Sequence, residues 1–186
     1  MSRQLAKHWI TADEYQRMGE AGIFRPDERL ELLEGEIYKM SPVGPLHAST
    51  VKILSGLLNR LFAGRLIVST QDPIRLDDFS EPQPDVALLL WRDDHYRHAH
   101  PTPADVLLVI EVADSTVESD RAYKVPLYAK AGIPEVWLVN LPDGLIELYA
   151  ELSGGAYHVT RRFARDEEAR SHSLAELRVG VTSVIG

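Results

Sequence analysis

The sequence predicts a mixed α/β (α+β) single domain, spanning 1–186, with a central mixed β-sheet flanked by helices. Three observations carry that expectation. Helical segments come first, then a run of strands, a further helix and more strands, the order of a mixed layered domain. The segments PDVALLLW, DVLLVIEV and PEVWLVN are apolar almost throughout, as in strands covered on both faces. A chain of 186 residues, 45% hydrophobic and 26% charged, is long enough to bury a proper core.

Taken in order, ITADEYQRM reads as a short helix capped by Thr11, with Glu14 three residues on completing a capping box. PDERLELLEG reads as a second helical turn ended by Gly35, and EIYKM as the first strand. From His47 to Phe62 the apolar residues Val51, Leu54, Leu58, Leu61 and Phe62 recur at helical spacing, and Gly64 stops the helix. RLIVST and PIRL are short strand candidates, followed by PDVALLLW, the polar loop RDDHYRHAHPTP and DVLLVIEV. SDRAYKVPLYAKAG is helical up to Gly132; Pro126 lacks an amide proton, so the helix begins or kinks there. PEVWLVN is a strand, the NLPDGL turn leads into LIELYA, and YHVTRRF pairs with it; the tail SLAELRVGVTSVIG carries no clear pattern.

The chain has no cysteine, which removes disulfides and thiolate metal sites. No apolar run approaches the roughly 18–20 residues that span a bilayer, and the N-terminal stretch lacks the apolar segment of a signal peptide. A cytoplasmic protein with no membrane association is the expectation. A net charge of −8 argues against loose coating of nucleic acid, which draws its affinity from neutralised phosphates. It leaves room for an enzyme whose acids hold metal ions.

Glu111 is the residue that demands an explanation. It interrupts the apolar run from Val106 to Val112, where an ionised carboxylate costs several kcal/mol or more unless it is paired or bound to a metal. If PDVALLLW and DVLLVIEV form a hairpin, the start of the first strand lies beside the end of the second. That brings Asp85 next to Glu111, at the roughly 4.5–5.5 Å spacing of opposed residues. Two such acids repel and raise each other's proton affinity, a cost that a hard divalent cation reverses. Lys124, on the following helix, can return over the same edge, Glu34 at the entrance to the EIYKM strand can add a third carboxylate, and His47 can line the site from the long helix. The histidines of HYRHAH lack a rigid ligand spacing and read as a solvated loop rather than a zinc site. Paired carboxylates also serve glycoside hydrolysis, but no further motif supports it.

The ordered pieces LELLEGEIYKMSPVGPLHAST, QPDVALL, LLVIEVADST and DRAYKVPLYAKAGIPEVWLVN resemble the Uma-two family of restriction endonucleases, within the PD-(D/E)xK nuclease-like superfamily. The resemblance covers nearly the whole chain, and EV…YAKAGIPEVWLV is its most specific part. It implies a restriction-endonuclease-like fold and Mg²⁺-dependent hydrolysis of phosphodiester bonds in nucleic acid, with DNA the expected substrate and Mn²⁺ able to substitute. It implies Asp85 as the PD aspartate, Glu111 as the second acid and Glu34 as the recurrent N-terminal acid, all three holding metal. In the simplest form of the motif a lysine stands two residues after the glutamate, where this chain has Ala113, so the resemblance implies that Lys124 takes the lysine role. A homodimer is expected, because two strands of a duplex must be addressed. The alternative is a non-catalytic nucleic-acid-binding or protein-interaction module on the same fold.

Overall fold

The computed structural model describes residues 6–186. Helix α1 (Ala12–Glu20) opens on the expected capping box: the Thr11 side chain accepts from Glu14 N, and the Glu14 carboxylate accepts from Thr11 N at 2.9 Å. The next segment departs from the helical expectation. Leu30–Leu33 (β1) and Glu36–Lys39 (β2) form an antiparallel hairpin, with Leu33 opposite Glu36. Glu34 and Gly35 make its two-residue turn, both at positive φ (48° and 80°), the geometry whose twist matches flanking strands. A side chain at position 35 would also strike Trp9, whose Cβ lies 2.8 Å from the place of an added Cβ. Four residues of LELL are too few to separate helical from strand periodicity, and the two-residue turn decides between them.

Helix α2 (Pro45–Leu61) starts with proline in its first turn and buries Val51, Leu54 and Leu58. Strands β3 (Leu66–Ser69), β4 (Val86–Leu90), β5 (Val106–Ala113), β6 (Val136–Asn140), β7 (Leu145–Ser153) and β8 (Ala156–Phe163) form one six-stranded sheet in that spatial order. All neighbours are antiparallel except β5 and β6, which are parallel. A parallel pair requires a crossover. Here it consists of a short turn α3 (Val117–Ser119), a π-helical turn (Asp120–Lys124) and α4 (Val125–Ala131), ended by Gly132 in the left-handed conformation. PIRL forms no strand; Ile74 and Leu76 are buried in an irregular segment instead.

Alternation along β5 sends its residues to opposite layers. Leu108, Ile110 and Val112 join α2 and the C-terminal helix α5 (Val181–Ile185) in one core, while Val109 and Ala113 join α4 in the other. Glu111 has the parity of Val109 and Ala113, so it belongs to the α4 side. The unassigned tail forms β10 (Arg178–Gly180), which pairs with β9 (Glu168–Arg170), before α5 returns to the core. The loop between β9 and β10 is held by the fully buried Glu135, whose Oε2 accepts from the backbone amides of His172 and Ser173 at 3.1 and 2.8 Å. Among the described residues, no helix is long and apolar enough to cross a membrane.

Candidate active site

The hairpin register is the one that brings the two acids together. Val86 pairs with Ile110, so one step further along the ladder Asp85 stands across from Glu111. Both border a cavity of about 440 Å³ that opens between the β1–β2 hairpin, the N-terminus of α2 and the π-helical turn. They are only 6% and 3% exposed, so they form its floor.

Asp85 is held on three sides. Its Oδ2 accepts from the Val112 amide at 2.9 Å and meets His47 Nε2 at 3.0 Å, while Gln71 Nε2 donates to Oδ1 at 3.0 Å. Burial alone would raise its pKa, but the His47 contact, with Gln71 and the Val112 amide, outweighs it and holds the group below the usual aspartate value. His47 sits in the first turn of α2 and is raised in return, chiefly by its hydrogen bond to Asp85. Its Nδ1 is buried without a hydrogen-bond partner among the described residues.

Glu111 has the opposite electrostatics. Tyr128 donates to its Oε1 at 2.6 Å from α4, and Lys124 Nζ lies 3.4 Å from the same oxygen. Burial dominates over Lys124, and Asp85, Asp120 and Glu31 add repulsion, so the carboxyl is pushed up to about 8. Lys124 leans more closely on Glu31 Oε2, at 3.0 Å. The surrounding carboxylates overcome its burial and keep its ammonium charged well beyond the physiological range. Asp120, in hydrogen-bond contact with the Thr116 hydroxyl at 2.6 Å, is raised by burial.

The π-helical turn explains how Lys124 arrives here from 13 positions beyond Glu111. The Val125 amide bonds to Asp120 O rather than to Arg121 O, which widens the turn by one residue. Pro126 supplies a cause: it has no N–H for the carbonyl of Ala122, and its ring crowds that carbonyl. The widened turn directs both Asp120 and Lys124 inward, and both are buried. Arg121 turns away to Glu147, which it grips through two nitrogens at 2.6 and 3.2 Å.

Glu34 stands apart from the two acids of the floor. It lines the outer part of the cavity but sits on the tip of the β1–β2 turn, with its side chain 64% exposed and paired to Lys130 at 2.8 Å. The N-terminal acid beside Lys124 is Glu31, because in a strand the residue three positions earlier faces inward while the turn residue faces out. Among the described residues, no group of three or more His, Asp or Glu side chains is arranged to enclose a metal ion. The trio Asp85, Glu111 and Glu34 is therefore not a preformed cage.

The donor set nevertheless fits a hard divalent cation. Glu31, Asp85, Glu111 and Asp120 are four buried carboxylates, set against one lysine and one histidine. If all ionise, two negative charges remain uncompensated among these groups even with His47 protonated, and the partly exposed Arg29 on the cavity lining offsets only part of that excess. Mg²⁺ characteristically takes one or two protein carboxylates and completes its shell with water and phosphate, which suits Asp85 and Glu111 better than a closed cage would.

This balance has a measurable consequence. Between the free glutamate value of 4.5 and about 8, folded Glu111 keeps a proton that the unfolded chain has lost. Stability in metal-free buffer should therefore fall as pH rises through that window. His47, whose folded pKa is raised, adds a loss of the same sign as pH rises past its unfolded value of 6.5. Asp85, whose pKa is lowered, acts only below its unfolded value of 3.8. Thermal melts in chelator from pH 5 to 9 should show a shallower decline for Glu111→Gln than for wild type; parallel curves would remove Glu111 as the titrating group.

The sequence profile of the Uma2 family, described as "Putative restriction endonuclease", matches residues 12–182. A solved structure described as a putative nuclease belonging to DUF820 from Anabaena variabilis ATCC 29413 superposes with a TM-score of 0.72. That alignment covers 95% of this chain and 97% of the other at 15% identity, which establishes a shared fold. A search of curated proteins found no match. With 171 of its 186 residues inside the family profile, this chain belongs to the Uma2 family.

Proposed function

We propose that the cavity hydrolyses phosphodiester bonds of nucleic acid, DNA in the first instance, with a divalent cation held by Asp85 and Glu111. The observation that carries this reading is the excess of buried carboxylate at the floor of an open cavity, in a chain of a nuclease family. Mg²⁺, or Mn²⁺ in its place, would neutralise phosphate charge there and acidify water. The protein's own groups do the positioning. The Val112 amide, His47 and Gln71 fix the Asp85 carboxylate, and Tyr128 fixes Oε1 of Glu111. Lys124, charged and held at 3.0 Å from Glu31, is placed to steady negative charge that develops on phosphate oxygens. Glu31 stands where a third acid supports the site through Lys124, and Glu34 contributes at most to its rim.

The same lysine motivates a second reading. Lys124 is already engaged by two carboxylates, which also suits a non-catalytic binding module that keeps the cluster only for structure. Labelled DNA and RNA, single- and double-stranded, incubated with Mg²⁺ or Mn²⁺ separate the two. Cleavage that disappears in chelator and in Glu111→Gln is expected; no cleavage of any substrate would leave the binding module, and cleavage indifferent to Glu111→Gln would remove Glu111 from the chemistry. A homodimer belongs to this proposal where both strands of a duplex are cut.

A further inference from the structure

Cations near the cavity are mostly engaged. Lys124 binds Glu31 and Glu111, Lys130 binds Glu34, and Lys39 lies 3.8 Å from Glu28. Arg29 differs: it lines the cavity, is only partly exposed, and forms no ion pair among the described residues. It shares the cavity lining with His47 and Asp85. A half-buried guanidinium without an acceptor is a ready fork for a phosphate. The chain's net charge of −8 repels a polyanion at long range, so local positive charge at this mouth matters.

Two tyrosines border the same cavity, and both present large apolar faces to solvent. Tyr123, on the π-helical turn next to Lys124, is 70% exposed, and Tyr38, on β2, is 46% exposed. Tyr38 is anchored by its hydroxyl to Glu36 at 2.7 Å, which leaves its ring as the contact surface. Exposed aromatics beside a cationic group are how proteins hold unpaired bases, because every base offers a π-face. The acids lie on the floor of a cavity of about 440 Å³, the scale of a small-molecule pocket. A phosphate reaches them more readily when its nucleotide is splayed out of a flexible strand than when it is fixed on a rigid duplex.

We propose that the cavity mouth grips one nucleotide of a single polynucleotide strand, with Arg29 on a backbone phosphate and Tyr38 and Tyr123 against the adjoining base. The identity of the ligand rests on the nuclease reading, but the grip itself requires no cleavage. A single strand also removes the need for a second copy to address a second strand.

The test uses the full chain and 5′-fluorescein-labelled oligothymidylate and oligouridylate of fifteen nucleotides, with a fifteen-base-pair DNA duplex beside them. Anisotropy is read in chelator and again in Ca²⁺. Tighter binding of either single strand than of the duplex is expected. Arg29→Gln and Tyr123→Ala should each weaken that binding by roughly 10-fold or more, within the range of lost base stacking, while Arg178→Gln, on β10 and outside the cavity lining, leaves it unchanged. Tyr123 is exposed, so its replacement does not disturb the core. Duplex binding as tight as single-strand binding, no binding in either buffer, or wild-type affinity in both variants would overturn the proposal. Strand binding that depends on Arg29 and Tyr123 without cleavage in Mg²⁺ supports the grip and sinks the hydrolysis reading. Duplex cleavage indifferent to Tyr123→Ala does the reverse.

Discussion

Asp85→Asn should lower cleavage by roughly 1000-fold, the upper end of the loss seen when one preorganised electrostatic group is removed. Unlike Glu111, Asp85 has a lowered pKa, so the folded state prefers it ionised. Its two oxygens accept from three donors, Val112 N, His47 and Gln71. An asparagine amide must aim its NH₂ at one side of that arrangement, setting donor against donor. The expected destabilisation is about 1–3 kcal/mol, the cost of leaving a buried polar group unsatisfied. Single-turnover cleavage together with urea unfolding separates the two effects. Activity near wild type in a folded Asp85→Asn protein would remove Asp85 from the chemistry.

Lys124→Met carries the second large effect, on stability as well as activity. From the sequence, Lys124 is a helical lysine that can return over the edge of the site. The structure places its ammonium among Glu31, Glu111 and Asp120, and methionine leaves those carboxylates buried without a cation. Removing one partner from a buried ion pair costs about 3–5 kcal/mol. Cleavage, measured at a temperature where the variant remains folded, should fall by roughly 100-fold or more. Lys130→Met is the contrast: its pair with Glu34 is solvent-exposed and should contribute less than about 1 kcal/mol. Equal melting temperatures for Lys124→Met and wild type would show that the ammonium does not hold the cluster together.

The juxtaposition of Asp85 and Glu111 was legible because a hairpin with a polar connecting loop admits few registers, and an acid inside an apolar strand has few explanations. The mixed sheet followed from three nearly continuous apolar runs and one helix between two of them. Glu31 was hidden by the reading of LELLEG as helix. As a strand ending in a Glu-Gly turn, the same residues put Glu31 at the floor and Glu34 on the tip. Asp120 and the inward course of Lys124 depend on a π-helical turn, and Pro126 is the local signal that could have pointed to it. Gln71, at positive φ in an irregular segment, reaches Asp85 through tertiary folding that no periodicity encodes. The tail carries no readable pattern because β10 is only three residues long and α5 five, too short for a periodicity.

Calorimetric titration of the metal-free protein with Mn²⁺ tests the central claim most directly, namely that the excess of buried carboxylate is matched to a divalent cation. Wild type should bind the ion with a well-defined site, and Glu111→Gln should bind it at least roughly 10-fold more weakly, on the scale by which perturbing a metal site lowers affinity. The same Mn²⁺ affinity in both proteins, or no binding to wild type, would contradict the account.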